Sequence, residues 1–156
     1  MDSANFVPAH FAVPAQLETN RFRLRMLSIA DVEKDYEAVI ESAERLRTEF
    51  PQWDGWPREG FTIEENLRDL QKHQREFEQR EAFAYTVVSL DESRVLGCLY
   101  LYPSPEETID AEVLMWVREQ DYHQGLSLIL YSTVRDWISE AWPFQQVTYP
   151  NWPELT

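Results

Sequence analysis

Gly125 stands where an apolar, strand-like run, Ala111-Glu112-Val113-Leu114-Met115-Trp116-Val117, gives way to a helical pattern that begins at Leu126. A strand that feeds a glycine turn and then a helix aims unpaired backbone N–H groups at one point, which suits a phosphate or pyrophosphate. The segment Tyr122-His123-Gln124-Gly125-Leu126-Ser127 is therefore the candidate cradle for a phosphorylated ligand. A second constellation is Trp53-Asp54-Gly55-Trp56. Two indoles beside Asp54 and Glu59 can hold a cationic amine by cation–π contact and charge. His123 could partly replace lost donors if a nearby phosphate protonated it, because an anion raises the pKa of an imidazole, or it could equally block the site.

Other residue types promise less. Cys98 follows Gly97 inside an apolar strand and reads as a buried, inert thiol. His10 and His73 have no neighbour at zinc-ligand spacing and are expected at the surface, so no metal site is expected. Ser127 lacks the Gly-x-Ser-x-Gly elbow of a hydrolase nucleophile.

The elements that must position these groups follow from periodicity and punctuation. Phe22 to Leu27 alternates apolar residues with Arg, a strand signature. Ser28, with Asp31 three residues on, can cap a helix with the stripe Val32, Tyr36, Val39, Ile40 and Ala43. Phe50 to Gly60 reads as a loop, and Thr62 with Glu65 forms a capping box for a helix that buries Ile63, Leu67, Leu70 and Phe77 and leaves Glu64, Arg68, Lys72 and Arg75 in water. Phe83–Ser89 and Arg94–Tyr102 form a hairpin across a polar turn, and Ile109–Val117 is a third strand. The helix from Gly125 carries Leu126, Leu130, Val134, Trp137 and Ile138 and stops at Pro143, with a last strand over Gln145–Tyr149. Residues 1–16 form a Pro- and Ala-containing lead, packed only if Phe6, Phe11 and Val13 find partners; residues 17–156 make one domain.

These pieces carry a resemblance. Ala111-Glu112-Val113, Trp116-Val117 and Gly125-Leu126 resemble the central motif of the GNAT acyl-CoA N-acyltransferases. Leu17-Glu18-Thr19-Asn20-Arg21-Phe22-Arg23-Leu24-Arg25, followed by Leu27 and Asp31, is similar to the opening strand and helix start of the branch that acetylates ribosomal-protein N-termini, and Val95-Leu96-Gly97-Cys98 is similar to the family's third strand. The resemblance implies an α+β fold (α/β in some schemes), a mostly antiparallel central sheet flanked by helices. It implies acyl transfer, most simply of acetyl from acetyl-CoA or another acyl-CoA to a primary amine of a small molecule or peptide, with no metal. Glu112 would be the base, the backbone of Met115, Trp116 and Val117 would pair with the pantetheine arm, and Trp53, Asp54 and Trp56 would fall on the acceptor side.

The chain departs from the family in two places. The pyrophosphate loop keeps only its second glycine, Gly125; Tyr122, His123 and Ser127 stand where the family has Arg or Gln, a first glycine, and Gly or Ala. The C-terminal end is short, so no residue matches the family's thiolate-protonating tyrosine. A catalytically degenerate GNAT-like module, binding a ligand or a second copy of itself, is the competing expectation.

Composition sets the remaining bounds. The 156 residues, 44% hydrophobic and 13% aromatic, suffice for one sizeable core. Twenty-eight acidic against fourteen basic residues give a formal charge of −14, which repels nucleic acid and anionic membrane and attracts a cationic acceptor. No run approaches the roughly 20 apolar residues of a membrane helix, no signal peptide is evident, and the lone Cys98 cannot form an internal disulfide, so a cytoplasmic protein is expected, with a possible homodimer through an open sheet edge.

Overall fold

The computed structural model describes residues 5–152. Six strands form one sheet in the order of the chain: β1 (Gln16–Glu18), β2 (Arg23–Met26), β3 (Phe83–Val88), β4 (Val95–Pro103), β5 (Ala111–Val117) and β6 (Val147–Thr148). All neighbours are antiparallel except β5 and β6, which run parallel. Between β2 and β3 lie α1 (Val32–Glu41), α2 (Ala43–Glu49) and α3 (Ile63–Glu78); a short α4 (Glu119–Tyr122) and the long α5 (Leu126–Ala141) join β5 to β6.

Strand alternation divides the core into two layers. Val113, Met115 and Val117 of β5 point to the face covered by α5, where they meet Leu126, Leu130, Val134 and Ile138. Leu114 and Trp116 point to the opposite face, covered by α1, α2 and α3 through Ala38, Val39, Leu46 and Leu70. At Gly97 the strands run so close that a Cβ would collide with the Trp116 carbonyl oxygen, which is why β4 carries a glycine opposite Val117.

The lead does find partners. Phe6 stacks on Phe83 and Phe144, Phe11 packs on Trp142, and Val7 is buried. Tyr85 donates its hydroxyl hydrogen to the Pro14 carbonyl at 2.6 Å, and Arg80 donates to the carbonyls of Pro8 and Phe11. Residues 16–18 then add β1 beside β2 and cover that edge.

The helices before the hairpin depart from expectation in instructive ways. Ser28 caps a single 3-10 turn, its Oγ accepting from Ala30 N at 3.1 Å, and α1 starts only at Val32. The expected stripe is rotated: Ile40 is exposed, whereas Asp35 and Ala38 are buried. The helix also breaks at Ser42, whose Oγ bonds back to the Ala38 carbonyl at 2.8 Å, so Ala43 belongs to α2. On α3 the capping box forms as expected, with Glu65 N bonded to Thr62 Oγ1 at 3.2 Å and Thr62 N to Glu65 Oε1 at 2.9 Å. Of its predicted stripe only Leu70 is fully buried; Ile63, Leu67 and Phe77 are half-buried, and Asn66 is buried instead.

Candidate functional site

The ladder between β5 and β6 consists of two pairs, Ala111↔Val147 and Glu112↔Thr148. Beyond them the strands part. The N–H of Arg118 bonds to Leu96 O, so in the continuous antiparallel register Trp116 and Leu114 exchange their backbone bonds with β4, while those of Met115 and Val117 point to the open side. Of the three residues expected to offer backbone groups to a pantetheine arm, Met115 and Val117 therefore face the gap. Trp116 does not: its backbone is committed to Cys98, and its indole Nε1 donates to Tyr100 Oη at 3.0 Å.

On the far side of the gap the chain turns away after β6 and docks elsewhere. Asn151 Nδ2 donates to the Glu49 carbonyl at 2.6 Å, Gln52 Nε2 donates to Asn151 Oδ1 at 3.0 Å, and Trp152 stacks on Tyr131 of α5. Tyr131 Oη and, one turn earlier, Ser127 Oγ are buried without a hydrogen-bond partner. Thr86 Oγ1 and Trp142 Nε1 are unpartnered in the same way.

The turn that feeds α5 is more ordered than a bare loop. Residues Glu119–Tyr122 wind into α4, and Gly125 supplies the left-handed residue, φ 86°, that starts α5. The intervening amides are already bonded. Glu119 N donates to Ser42 Oγ at 2.9 Å and Gln120 N to Glu41 Oε2 at 2.9 Å. The N–H groups of Tyr122, His123, Gln124 and Gly125 bond to Arg118, Glu119, Asp121 and Tyr122 carbonyls. Side chains brace the same turn. Arg118 is buried against Glu41 at 2.8 Å and Glu37 at 3.3 Å, and these carboxylates outweigh the cost of burial to raise its pKa. Arg45 bonds to the Val117 carbonyl, pairs with Glu119 at 2.8 Å and lies 4.1 Å from the centre of the Tyr122 ring. His123 is exposed, with Nε2 2.8 Å from Glu119 Oε2.

A diphosphate therefore cannot use the amides of 122–125 as they stand. What remains is the first turn of α5, around Leu126 and Ser127, which has no capping side chain, together with the orphaned Ser127 hydroxyl. These groups fit an anion. The rest of the expected cradle is occupied by the chain's own bonds.

The second site is a cavity of about 240 Å³ on the other face of the sheet, beneath α1, α3 and the 51–57 segment. Its walls include Trp53, Trp56, Tyr100 and Tyr102, and its polar lining includes Asp35, Asn66, Asp69 and His73. Trp53 stands edge-on to both Trp56 and Tyr100, at 5.3 and 5.4 Å between ring centres, so three rings meet nearly at right angles. Asp35 is buried and accepts from Asn66 Nδ2 at 3.0 Å; burial pushes its carboxyl up to about 6. Asp69 accepts from Trp56 Nε1 at 3.2 Å, and burial raises its pKa too.

The expected acceptor residues are split by this geometry. Trp53 and Trp56 line the cavity; Asp54, in the left-handed conformation and exposed, lies outside it in an adjoining hollow with Arg58 and Arg68. His73, expected at the surface, is only 19% exposed and sits 5.3 Å from the Tyr100 ring. Asp35, Asn66, Asp69, Tyr100 and Tyr102 were not expected at a site. Their one sequence signal is spacing: Asn66, Asp69 and His73 share a helical face with Leu70. Glu112 lies at the apex of the gap and pairs with Tyr102 across the strands, and alternation puts its side chain on the cavity's face of the sheet. Burial raises the Tyr102 hydroxyl's pKa, and Glu112 adds to the effect.

No protein-family model matches this sequence, and no curated protein matches it. Solved structures do. The ribosomal-protein-S5-alanine acetyltransferase of Vibrio fischeri superposes with a TM-score of 0.67 at 15% identity, over 86% of this chain and 72% of that one. A ribosomal L7/L12 alpha-N-protein acetyltransferase in complex with coenzyme A gives 0.58 at 17%, over 80% and 66%. The Microcin C7 self immunity acetyltransferase, in complex with acetyl-CoA and AMP, gives 0.63 at 10%, over 83% and 70%. The fold is thus that of the GNAT acetyltransferases, an α+β architecture with a mostly antiparallel sheet, and its structural neighbours include the ribosomal-protein branch that the opening strand resembles. This chain spans 66–72% of the length of those three.

Proposed function

We propose that the protein is an acyl-CoA-dependent N-acyltransferase, using acetyl-CoA or a related thioester to modify a primary amine. The observation that carries this reading is the opening of β5 from β6 directly beyond Glu112, with a carboxylate-bearing aromatic cavity on the same face as Glu112. The backbone of Met115 and the N–H of Val117, whose carbonyl is held by Arg45, offer the edge along which an extended amide-containing arm can pair, and the uncapped first turn of α5 receives its phosphates. Glu112 takes a proton from the incoming amine as the new N–C bond forms and the C–S bond breaks; the sulfur leaves as thiolate and is protonated by solvent. The N–H of Met115, aimed into the gap, is the donor placed to steady the developing oxyanion. A net charge of −14 draws in a cationic acceptor.

A second reading is favoured by one specific observation, the commitment of the loop amides to Glu41, Ser42 and the loop's own carbonyls. On it, the fold retains the amine cavity as a binding module and takes no thioester. Calorimetric titration with acetyl-CoA separates the two. Saturable binding that is lost in Leu128→Glu supports acyl transfer, because a carboxylate at this exposed first-turn position competes for the same amides while favouring the helix. No binding at millimolar acetyl-CoA supports the binding module.

A further inference from the structure

We infer that the aromatic cavity takes a small diamine, one ammonium held at Asp35 and the other amine presented at Tyr102 to Asp69 and Glu112. The inference deepens the acceptor side of the proposed function and rests on that site. Each of the two aspartates spends one oxygen on a fixed donor, Asp35 Oδ2 on Asn66 and Asp69 Oδ2 on Trp56. Asp35 Oδ1 and Asp69 Oδ1 have no hydrogen-bond partner among the described residues, so the cavity offers acceptors that an ammonium can satisfy. Trp53, which stands at right angles to both Trp56 and Tyr100, and those two rings line the same space, where a desolvated cation near an aromatic ring gains most.

Charge continues along the cavity. Asp35 influences Tyr100, whereas Asp69, Glu76 and Glu112 influence Tyr102, two residues farther along β4. Two strand residues span about 7 Å, the reach of a short aliphatic spacer, and the parallel Tyr100 and Tyr102 rings, 5.9 Å apart, flank that path. Asp35 and Asp69 in the cavity's lining, with Glu112 cross-strand from Tyr102 on the same face of the sheet, match a chain bearing two cationic ends. They do not match a single ammonium on an apolar tail, which would leave one end's charge unanswered. Lys72, exposed on the rim, forms no ion pair among the described residues; its charge and that of His73 act on Asp69 without a direct contact. The volume of about 240 Å³ lies below the roughly 300–1,000 Å³ of drug-sized sites, which favours a small amine over a folded polypeptide terminus.

The test is calorimetric titration of the full chain, without any thioester, with cadaverine and with n-pentylamine, which share a carbon chain and differ by one amine. Cadaverine is expected to bind at least tenfold more tightly, and Asp69→Asn, at a partly exposed position that folding tolerates, to remove most of that preference. Asp35→Asn should act in the same direction. Equal affinities, no binding of either amine, or a preference unchanged in both variants would overturn the inference. Cadaverine that binds but is never acylated would leave the inference standing and overturn acyl transfer. Monoamine and diamine acylated with equal kcat/KM would do the reverse.

Discussion

Asp35→Asn should stabilise the protein at neutral pH while weakening its amine site. The carboxyl of Asp35 is fully buried, and burial outweighs the Asn66 hydrogen bond to push its pKa from 3.8 to about 6. An acid whose folded pKa is raised costs nothing below its unfolded pKa, where both states carry the proton. The cost grows as pH rises and is complete above the folded pKa. At about 1.4 kcal/mol per pH unit, the interval from 3.8 to about 6 amounts to roughly 3 kcal/mol of destabilisation at pH 7.5. Asparagine is isosteric and uncharged, and its Oδ1 can still accept from Asn66 Nδ2, so the variant recovers most of this penalty. For a chain of this size 1 kcal/mol moves Tm by about 2–4 °C, and the expected gain is roughly 5–10 °C at pH 7.5. Near pH 4 the difference should fall below about 1 kcal/mol. Thermal and urea unfolding of both proteins at the two pH values provides the assay. A variant less stable than the parent at pH 7.5, or one stabilised equally at pH 4, would refute the reasoning that Asp35 is held ionised against its environment for the sake of a ligand.

Four further outcomes are expected. Diamine affinity should fall as pH drops through about 6, because Asp35 gains a proton there and loses its attraction for an ammonium; the titratable and charged groups around it are Asp31, Asp69, Lys72 and His73 from the helical side and Cys98 and Tyr100 from β4, and titration at pH 5 and 7.5 checks this. Trp53→Ala should weaken amine binding roughly tenfold, by removing the ring that meets both Trp56 and Tyr100, as read by calorimetry. Gly97→Ala should cost about 3 kcal/mol or more in urea unfolding, since its methyl meets the backbone of Trp116 rather than a movable side chain. Arg118→Met should cost about 1–2 kcal/mol and loosen the turn before α5, because Glu41 loses its buried partner but is itself exposed enough to be rehydrated; amide exchange at Gln120 reports the loosening.

Much of the fold was legible because periodicity and caps coincide with burial. The hairpin of β3 and β4, the strand β5, the capping box of α3 and the apolar stripe of α5 all reflect local rules that tertiary structure did not override. The rotation of α1 was not legible. An aspartate at position 35 reads as solvent-facing, and only the approach of Asn66 from another helix makes its burial tolerable. The cavity escaped for the same reason: Asn66, Asp69 and His73 look like a polar face until α3 is laid against Tyr100 and Tyr102. Trp53 and Trp56 stand out in the sequence because indoles beside acids suggest a cation site wherever the loop lies, and both line the cavity. Asp54, their neighbour in sequence, takes a left-handed turn and lines the adjoining hollow instead of the cavity, a backbone event that side-chain chemistry does not reveal. The turn before α5 shows the limit of motif reading: Gly125 supplies the expected geometry, but the partners that claim the loop's amides, Glu41 and Ser42, lie some 80 residues upstream.

The most direct test of acyl transfer is amine-dependent release of thiol from acetyl-CoA, followed with cadaverine as acceptor for the wild-type chain and for Glu112→Gln, with the acylated amine identified by mass spectrometry. Thiol should be released in step with acylated amine, and Glu112→Gln should slow the release about 10²-fold or more. Acetyl-CoA left intact beside a folded, amine-bound protein would contradict acyl transfer.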